Sequence, residues 1–347
     1  MCDDDVLPPE PPLSRLGNRT IRSSHALERP DATLHYRISQ PPAPTANPTL
    51  VLLHGATLDH HAWDPQVAAL QDRFPLVTPD LRGHGASTGR FDFTAAVNDI
   101  EALLEVLPAD QIVLVGLSLG GNLAQQLVRR NNPRVRAMVI ADATCNTAAR
   151  HPLAAWMGVA ALHAQAAVDG SAFAQRAARA TAIEPQVQQY ALEANRHRSN
   201  HETVGILSSL LTNALRPDPN YRLPVPTLLV CGEFDGIGDV ARGSRAWARR
   251  DALAEYAEIP GAGHASNLDN PEAFTEVLEA FLRRVLPLES GATAGAVSSD
   301  AEASVEHLCA RYGDRPWQLL REPTRERVLG LAADGLDGAG RPLRATG

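Results

Sequence analysis

The residues best suited to chemistry are Ser118, Asp235 and His264, and each follows an apolar run. Ser118 stands at the apex of Gly116-Leu117-Ser118-Leu119-Gly120-Gly121, between the β-rich Gln111–Val115 and the helix-forming Asn122–Val128. That pattern predicts strand, sharp turn, helix. A turn tight enough to hold a hydroxyl clear of the sheet edge leaves no room for side chains at 116 and 120, and both are glycine. The helix that starts there points its positive end at the same spot, which favours a developing anion. A serine hydroxyl is a weak nucleophile near neutral pH. It needs a base to take its proton, and the base needs a group that holds its tautomer and supports its cation. Asp235, in Cys231-Gly232-Glu233-Phe234-Asp235-Gly236, and His264, in Gly261-Ala262-Gly263-His264, supply both at predicted strand ends. The chain order of nucleophile, acid and histidine fits a nucleophile on a strand-to-helix turn. An oxyanion formed on attack needs two amide donors. Leu119, the residue after the serine, offers one, and Ala56, in the loop after Leu50–Leu53, offers the other. Removing one such donor typically costs about 2.7–4 kcal/mol of transition-state stabilisation.

The elements that must position these groups follow from the apolar patterning. Alternating residues over Asn18–His25 and Ala32–Ser39, with Glu28–Asp31 as the turn, predict a β-hairpin. Continuous apolar runs predict strands buried on both faces at Leu50–Leu53, Phe74–Asp80, Gln111–Val115, Arg136–Ala141, Thr227–Cys231 and Glu255–Ile259. Helical spacing marks Trp63–Leu70, Phe93–Leu107 and Pro271–Leu286. Strand and helix alternate from residue 49 to 142, which predicts a parallel α/β sheet with helices on both faces and catalytic groups at the strand C-termini. The alternation breaks over the alanine-rich residues 146–216, which read as a helical lid inserted in the sheet domain. Residues 1–17 read as a proline-rich flexible leader, 288–303 as a Gly/Ala/Ser linker, and 304–347 as a helical extension of unknown role, with helices at Val305–Tyr312 and Thr324–Ala333.

Composition removes several classes of function. The 347 residues carry a net charge of −8, which argues against a nucleic-acid surface. Cys2, Cys145, Cys231 and Cys309 are far apart and form no C-x-x-C, so a reducing cytoplasm is expected rather than a disulfide framework or a zinc site. The N-terminus lacks the basic region and apolar core of a signal peptide. The longest run of low polarity, Leu153–Val168, is too short and too polar for a membrane span.

Five separate stretches together resemble the α/β-hydrolase fold superfamily over residues 18–286. They are Leu53-His54-Gly55-Ala56, Asp80-Leu81-Arg82-Gly83-His84-Gly85-Ala86-Ser87, Gly116–Gly121, Gly232-Glu233-Phe234-Asp235, and Gly263-His264-Ala265-Ser266-Asn267-Leu268 with Pro271-Glu272-Ala273-Phe274. The resemblance implies an oxyanion loop at Ala56, a nucleophile elbow at Ser118, an acid loop at Asp235 and a histidine loop at His264. His54–Trp63 is most similar to enol-lactone hydrolases and small esterases of that superfamily. C–C bond hydrolases, cofactor-free haloperoxidases or perhydrolases, and ligand-sensing relatives remain alternatives. Asp142, also at a strand end, stays open as the acid, because some relatives use that position. A serine at 118 argues against dehalogenases and typical epoxide hydrolases, which use aspartate there.

The expectation is therefore acyl transfer to water from a small, largely apolar ester or lactone, with no cofactor or metal, no nucleic-acid partner and no membrane; the oligomeric state is open. Trp156, Met157 and His163, with Phe173, are candidates for the wall of a substrate pocket, lid packing being the alternative. His54 and His84 read as braces of tight loops. The adjacent His60 and His61 look like a ligand pair, but no third ligand is spaced to join them.

Overall fold

The computed structural model describes residues 21–288 apart from 150 and 152. The leader at 1–17, the start of the first predicted strand, the linker beyond Leu288 and the extension at 304–347 lie outside the described residues.

Among the described residues eight strands form one sheet in the order β1-β2-β4-β3-β5-β6-β7-β8. β1 (Ile21–Arg29) and β2 (Ala32–Gln40) make an antiparallel hairpin, and β2 joins β4 (Leu76–Pro79) antiparallel. The first strand runs four residues past the predicted His25, so the turn is only Pro30-Asp31, with Asp31 at φ 60°. Such tight hairpin turns need positive φ, which aspartate tolerates. The other strands are parallel: β3 (Thr49–Leu53), β5 (Ile112–Leu117), β6 (Val135–Ala141), β7 (Thr227–Gly232) and β8 (Ala254–Ile259).

The unbroken apolar runs have a direct cause. Leu50 and Leu52 of β3 and Val113 and Val115 of β5 enter the core on one face, while Val51, Leu53, Ile112 and Leu114 enter the core on the other. The first core is closed by α1 (Asp64–Leu70) and α10 (Pro271–Val285), through Trp63, Leu70, Phe274 and Phe281. The second is closed by α2 (Phe93–Val106), α3 (Leu119–Arg129) and α8 (Val240–Arg250). Sequence patterning missed α8, whose buried Val240, Ser244, Trp247 and Ala248 keep helical spacing in an otherwise arginine-rich stretch.

Between β6 and β7 the chain leaves the sheet for α4 (Ala154–Asp169), α5 (Phe173–Thr181), α6 (Pro185–Ala194) and α7 (Asn200–Asn213). The last opens with a capping box, Ser199 and Glu202 satisfying each other's backbone N–H groups. A short helix, α9 (Ser266–Asp269), precedes α10. Among the described residues no helix is long and apolar enough to cross a membrane.

The topology decides where chemistry can occur. From β3 the chain steps to β4 on one side, then returns past β3 to β5 on the other. Connections therefore diverge at the β3/β5 boundary, and a crevice opens at the C-terminal ends of those strands. In the register, Leu53 at the end of β3 pairs with Gly116 near the end of β5, so the Ala56 loop and the Ser118 turn emerge side by side.

Candidate active site

Ser118 has φ 50° and ψ −111°, a conformation that L-residues rarely adopt. Strain of this kind costs on the order of 1–3 kcal/mol and persists only where the surroundings enforce it. Here the Ser118 N–H donates to Ala141 O at 2.8 Å, and its carbonyl accepts from Asn122 N–H at 3.0 Å. The flanking glycines are needed for close approach. A Cβ on Gly116 would lie 2.3 Å from the Gly120 carbonyl carbon, and one on Gly120 would lie 2.1 Å from Leu53 O. These are backbone atoms that cannot swing aside, so α3 can start against β3 only with glycine there.

The turn delivers the Ser118 hydroxyl to 2.8 Å from His264 Nε2. His264 Nδ1 lies 3.0 and 3.1 Å from the two carboxylate oxygens of Asp235. Three residues from three strand ends thus form one hydrogen-bonded chain. Both His264 and Asp235 are nearly fully buried side chains. Burial pushes the imidazole toward the neutral form, but the hydrogen bond and charge of Asp235, joined by the charge of Asp142, outweigh it and raise its pKa above the ordinary 6.5. Asp235 is aimed by its own loop, accepting from Ile237 N–H at 2.8 Å.

Asp142, the alternative acid, does not bond to His264. Its carboxyl accepts from Gly232 and Ser266 instead. Asp142, Cys231 and Asp235 bring three potential metal-ligand atoms within 4.8 Å of one another. Both carboxylates are already occupied by protein donors, and burial pushes the Cys231 thiol far from its ionised form. His60 and His61 are also engaged separately, with Asp80 and Asp64, each at 2.8 Å.

The oxyanion candidates flank the serine. Leu119 is the first residue of α3, where a helix leaves its N–H groups without intrahelical partners. Ala56 and Ser118 both line one cavity. The Ala56 loop is braced by His54, whose Nε2 accepts from Leu81 N–H at 2.9 Å. That assigns the proton to Nδ1, which donates to Gly55 O at 2.8 Å. Complete burial depresses the His54 pKa and keeps the ring neutral for this role. Asp59 and Tyr190 make a second brace that sequence patterning did not reveal, the Tyr190 hydroxyl donating to Asp59 Oδ1 at 2.8 Å. Arg198 makes a third, donating to Thr57 O at 3.4 Å and to Gly83 O of the neighbouring loop at 2.8 Å.

The cavity holds about 870 Å³ and is walled mainly by aliphatic side chains, among them Leu58, Leu117, Leu162, Leu207 and Leu211, with Phe173 from α5. It differs from the expected pocket at three positions. Trp156 and Met157 are 68% and 66% exposed, and His163 is exposed as well; none of the three lines the cavity. The reason is helical phase. α4 turns Gly158, Ala161, Leu162 and Gln165 to the cavity, spaced three and four apart, and the larger residues fall on other faces. An ion pair at the wall, Asp169 with Arg176 at 3.2 Å, was also not foreseen.

Residues 48–271 match the family model described as the alpha/beta hydrolase fold. The 3-oxoadipate enol-lactonase 2 of Acinetobacter baylyi is 27% identical over 247 residues, covering 68% of this chain and 89% of that protein. The pimeloyl-[acyl-carrier protein] methyl ester esterase of Nitrosospira multiformis is 28% identical over 254 residues, covering 68% of this chain and 95% of the relative. Among solved structures, a thermophilic esterase from Thermogutta terrifontis superimposes with a TM-score of 0.61 at 26% identity, covering 76% of this chain and 99% of the esterase.

Proposed function

The chain belongs to the α/β-hydrolase fold family, and we propose that within it this protein is a serine hydrolase that cleaves a carboxylic ester or lactone. One observation carries the reading: the continuous hydrogen-bonded chain from Ser118 through His264 to Asp235, opening on an apolar cavity. Ser118 Oγ attacks the acyl carbon while His264 Nε2 takes its proton. Asp235 holds the Nδ1–H tautomer and supports the imidazolium. The oxyanion sits between the Ala56 and Leu119 amides. As the tetrahedral intermediate collapses, His264 returns the proton to the leaving alkoxide, and the acyl group remains on Ser118. Water, deprotonated by His264, then attacks the acyl-enzyme; collapse of this second intermediate breaks the bond to Ser118 Oγ, which takes the proton back from His264, and the acid leaves. In a lactone the leaving alkoxide stays tethered, so a single hydroxy acid (or its keto tautomer, from an enol-lactone) is the product.

Both named relatives cleave an acyl–oxygen bond, one in an enol-lactone and one in a methyl ester, which supports the bond type without naming the substrate. The aliphatic wall favours a largely apolar acyl group. Cys145 and Cys231, both buried and unpaired, suit a reducing cytoplasm.

The test uses a fluorophosphonate probe and a panel of activated esters, lactones and β-diketones on the purified full chain. Ser118 is expected to be labelled and esters or lactones turned over, and Ser118→Ala is expected to lose both. An unlabelled Ser118 in folded protein with no turnover would sink the enzyme reading. Diketone cleavage without ester cleavage would replace it with a C–C bond hydrolase.

A further inference from the structure

Asp142 directly follows β6 with φ 51°, and its side chain is fully buried. Its Oδ1 accepts from Gly232 N–H at 2.8 Å. Its Oδ2 accepts from Ser266 N–H at 3.2 Å and from the Ser266 hydroxyl at 2.5 Å. Gly232 begins the loop that carries Asp235, and Ser266 lies two residues after His264. One carboxyl at the end of a third strand therefore ties together the two loops that hold the acid and the base. The fit between those loops is close: a Cβ on Gly232 would lie 2.0 Å from Gly263 O. Phe234 N–H also crosses to Ala262 O at 2.8 Å.

We propose that Asp142 is a positioning residue whose carboxylate clamps the Asp235 loop to the His264 loop and so sets the geometry of the acid–base pair. The proposal rests on the reading of Ser118, His264 and Asp235 as the catalytic residues. Three donors converge on its two oxygens, and the ionised carboxylate, an acceptor only, takes all three without turning a proton toward any of them. An amide at this position turns an NH₂ toward Gly232 N–H or Ser266 N–H and loses one side of the clamp.

The titratable groups facing this carboxyl are Asp235 and the neutral thiol of Cys231 on the β7 side and His264 on the histidine loop; Ser266 adds only neutral donors. Burial pushes the Asp142 pKa up to about 7, assisted by Asp235 and opposed by His264 and the donors from Ser266 and Gly232. The coupling is mutual, because the Asp142 charge also raises the pKa of His264. Removing the charge therefore affects both the geometry and the protonation of the base.

The experiment compares wild type, Asp142→Asn and Ser266→Ala as full chains, with the fluorophosphonate titrating active sites so that misfolded protein is not counted. Wild-type protein that neither labels nor turns over esters defeats the underlying catalytic reading. With active wild type, Asp142→Asn is expected to lower kcat per titrated site by about tenfold or more, as small misplacements of reacting groups do. KM should stay within about twofold, since bound substrate is not what the clamp holds. The acid limb of kcat/KM should move to lower pH, because His264 loses a supporting anion. Ser266→Ala, which removes one donor and keeps the charge, should give a smaller loss of kcat with the limb in place, and it is read even if Asp142→Asn does not fold. A kcat per titrated site within about twofold of wild type in Asp142→Asn, or an unmoved acid limb, overturns the proposal. If that variant does not fold, an unchanged kcat in Ser266→Ala overturns it.

Discussion

At the scale of single residues, the site is set by opposing forces on a few side chains. His264 is buried, which favours the neutral imidazole needed to accept a proton, yet Asp235 and Asp142 together favour the cation more strongly. A base with a raised pKa is lost as pH falls through that value. The acid limb of kcat/KM is therefore expected above pH 6.5, the ordinary imidazole value. Asp235→Asn removes the larger raising group and leaves the burial. Its limb should move down, and kcat should fall by about 10⁴, the scale seen when the orienting acid of such a triad is neutralised. An acid limb that does not move in the variant would show that Asp235 does not control the histidine. The stability linkage runs the other way: the His264–Asp235 interaction contributes fully at pH below the unfolded imidazole value and is lost as pH rises through the raised folded one.

At the scale of elements, the inserted helices are tied to the loops that hold catalytic groups. Ala265 N–H donates to Thr181 O at 2.7 Å at the end of α5. The Asp269 carboxylate accepts from Gly263 N–H at 2.8 Å and from Ile183 N–H at 2.9 Å, joining the histidine loop to the α5–α6 connection. Tyr190 on α6 reaches the Asp59 carboxylate beside the Ala56 loop. The position of α6 is thereby tied to the loop that carries the Ala56 amide, the proposed oxyanion donor. Tyr190→Phe keeps the ring and removes the donor, at an expected cost of about 1–2 kcal/mol in urea unfolding. It should lower kcat more than it raises KM, because the proposed role of the Ala56 amide is to hold the oxyanion of the transition state. A change confined to KM would mean that α6 only shapes the pocket.

At the scale of the whole molecule, the hairpin at one end of the sheet is joined to the rest by a buried ion cluster. Asp99 on α2 meets Arg82 Nε at 2.8 Å and Arg29 Nε at 3.1 Å, and its side chain is 2% exposed. Arg82 also donates to Pro30 O at 3.2 Å in the hairpin turn. Breaking such a pair from one side leaves a buried charge unmatched. Arg82→Met is expected to cost about 3–5 kcal/mol, seen as a lower urea midpoint at unchanged m-value. Replacing Asp99 with leucine in the same chain should recover much of the loss, since a buried pair and its apolar substitute often balance. If the single variant loses under about 1 kcal/mol, the cluster is solvated and does not join the hairpin to the sheet.

Much of this architecture was legible in the chain itself, for physical reasons. Strands buried on both faces must be unbroken apolar runs, so Leu50–Leu53, Gln111–Val115 and Thr227–Cys231 announce themselves. A serine turn that packs backbone on backbone must carry glycine, so Gly116 and Gly120 mark Ser118, and strand ends mark Asp235 and His264. What only the tertiary structure decided was phase and partnership. Trp156, Met157 and His163 looked suited to a pocket, but the rotation of α4 about its axis presents Gly158, Ala161, Leu162 and Gln165 to the cavity and turns all three outward. The choice between Asp142 and Asp235 was likewise open in the sequence, because both end strands. It was decided by which carboxyl faces His264 Nδ1 and which meets the amides of Gly232 and Ser266. Local patterning reports burial and backbone conformation, which depend on a residue's own neighbours in the chain. Hydrogen-bond partners across 90 or more positions, such as Asp142 with Gly232, exist only once the sheet has brought the strand ends together.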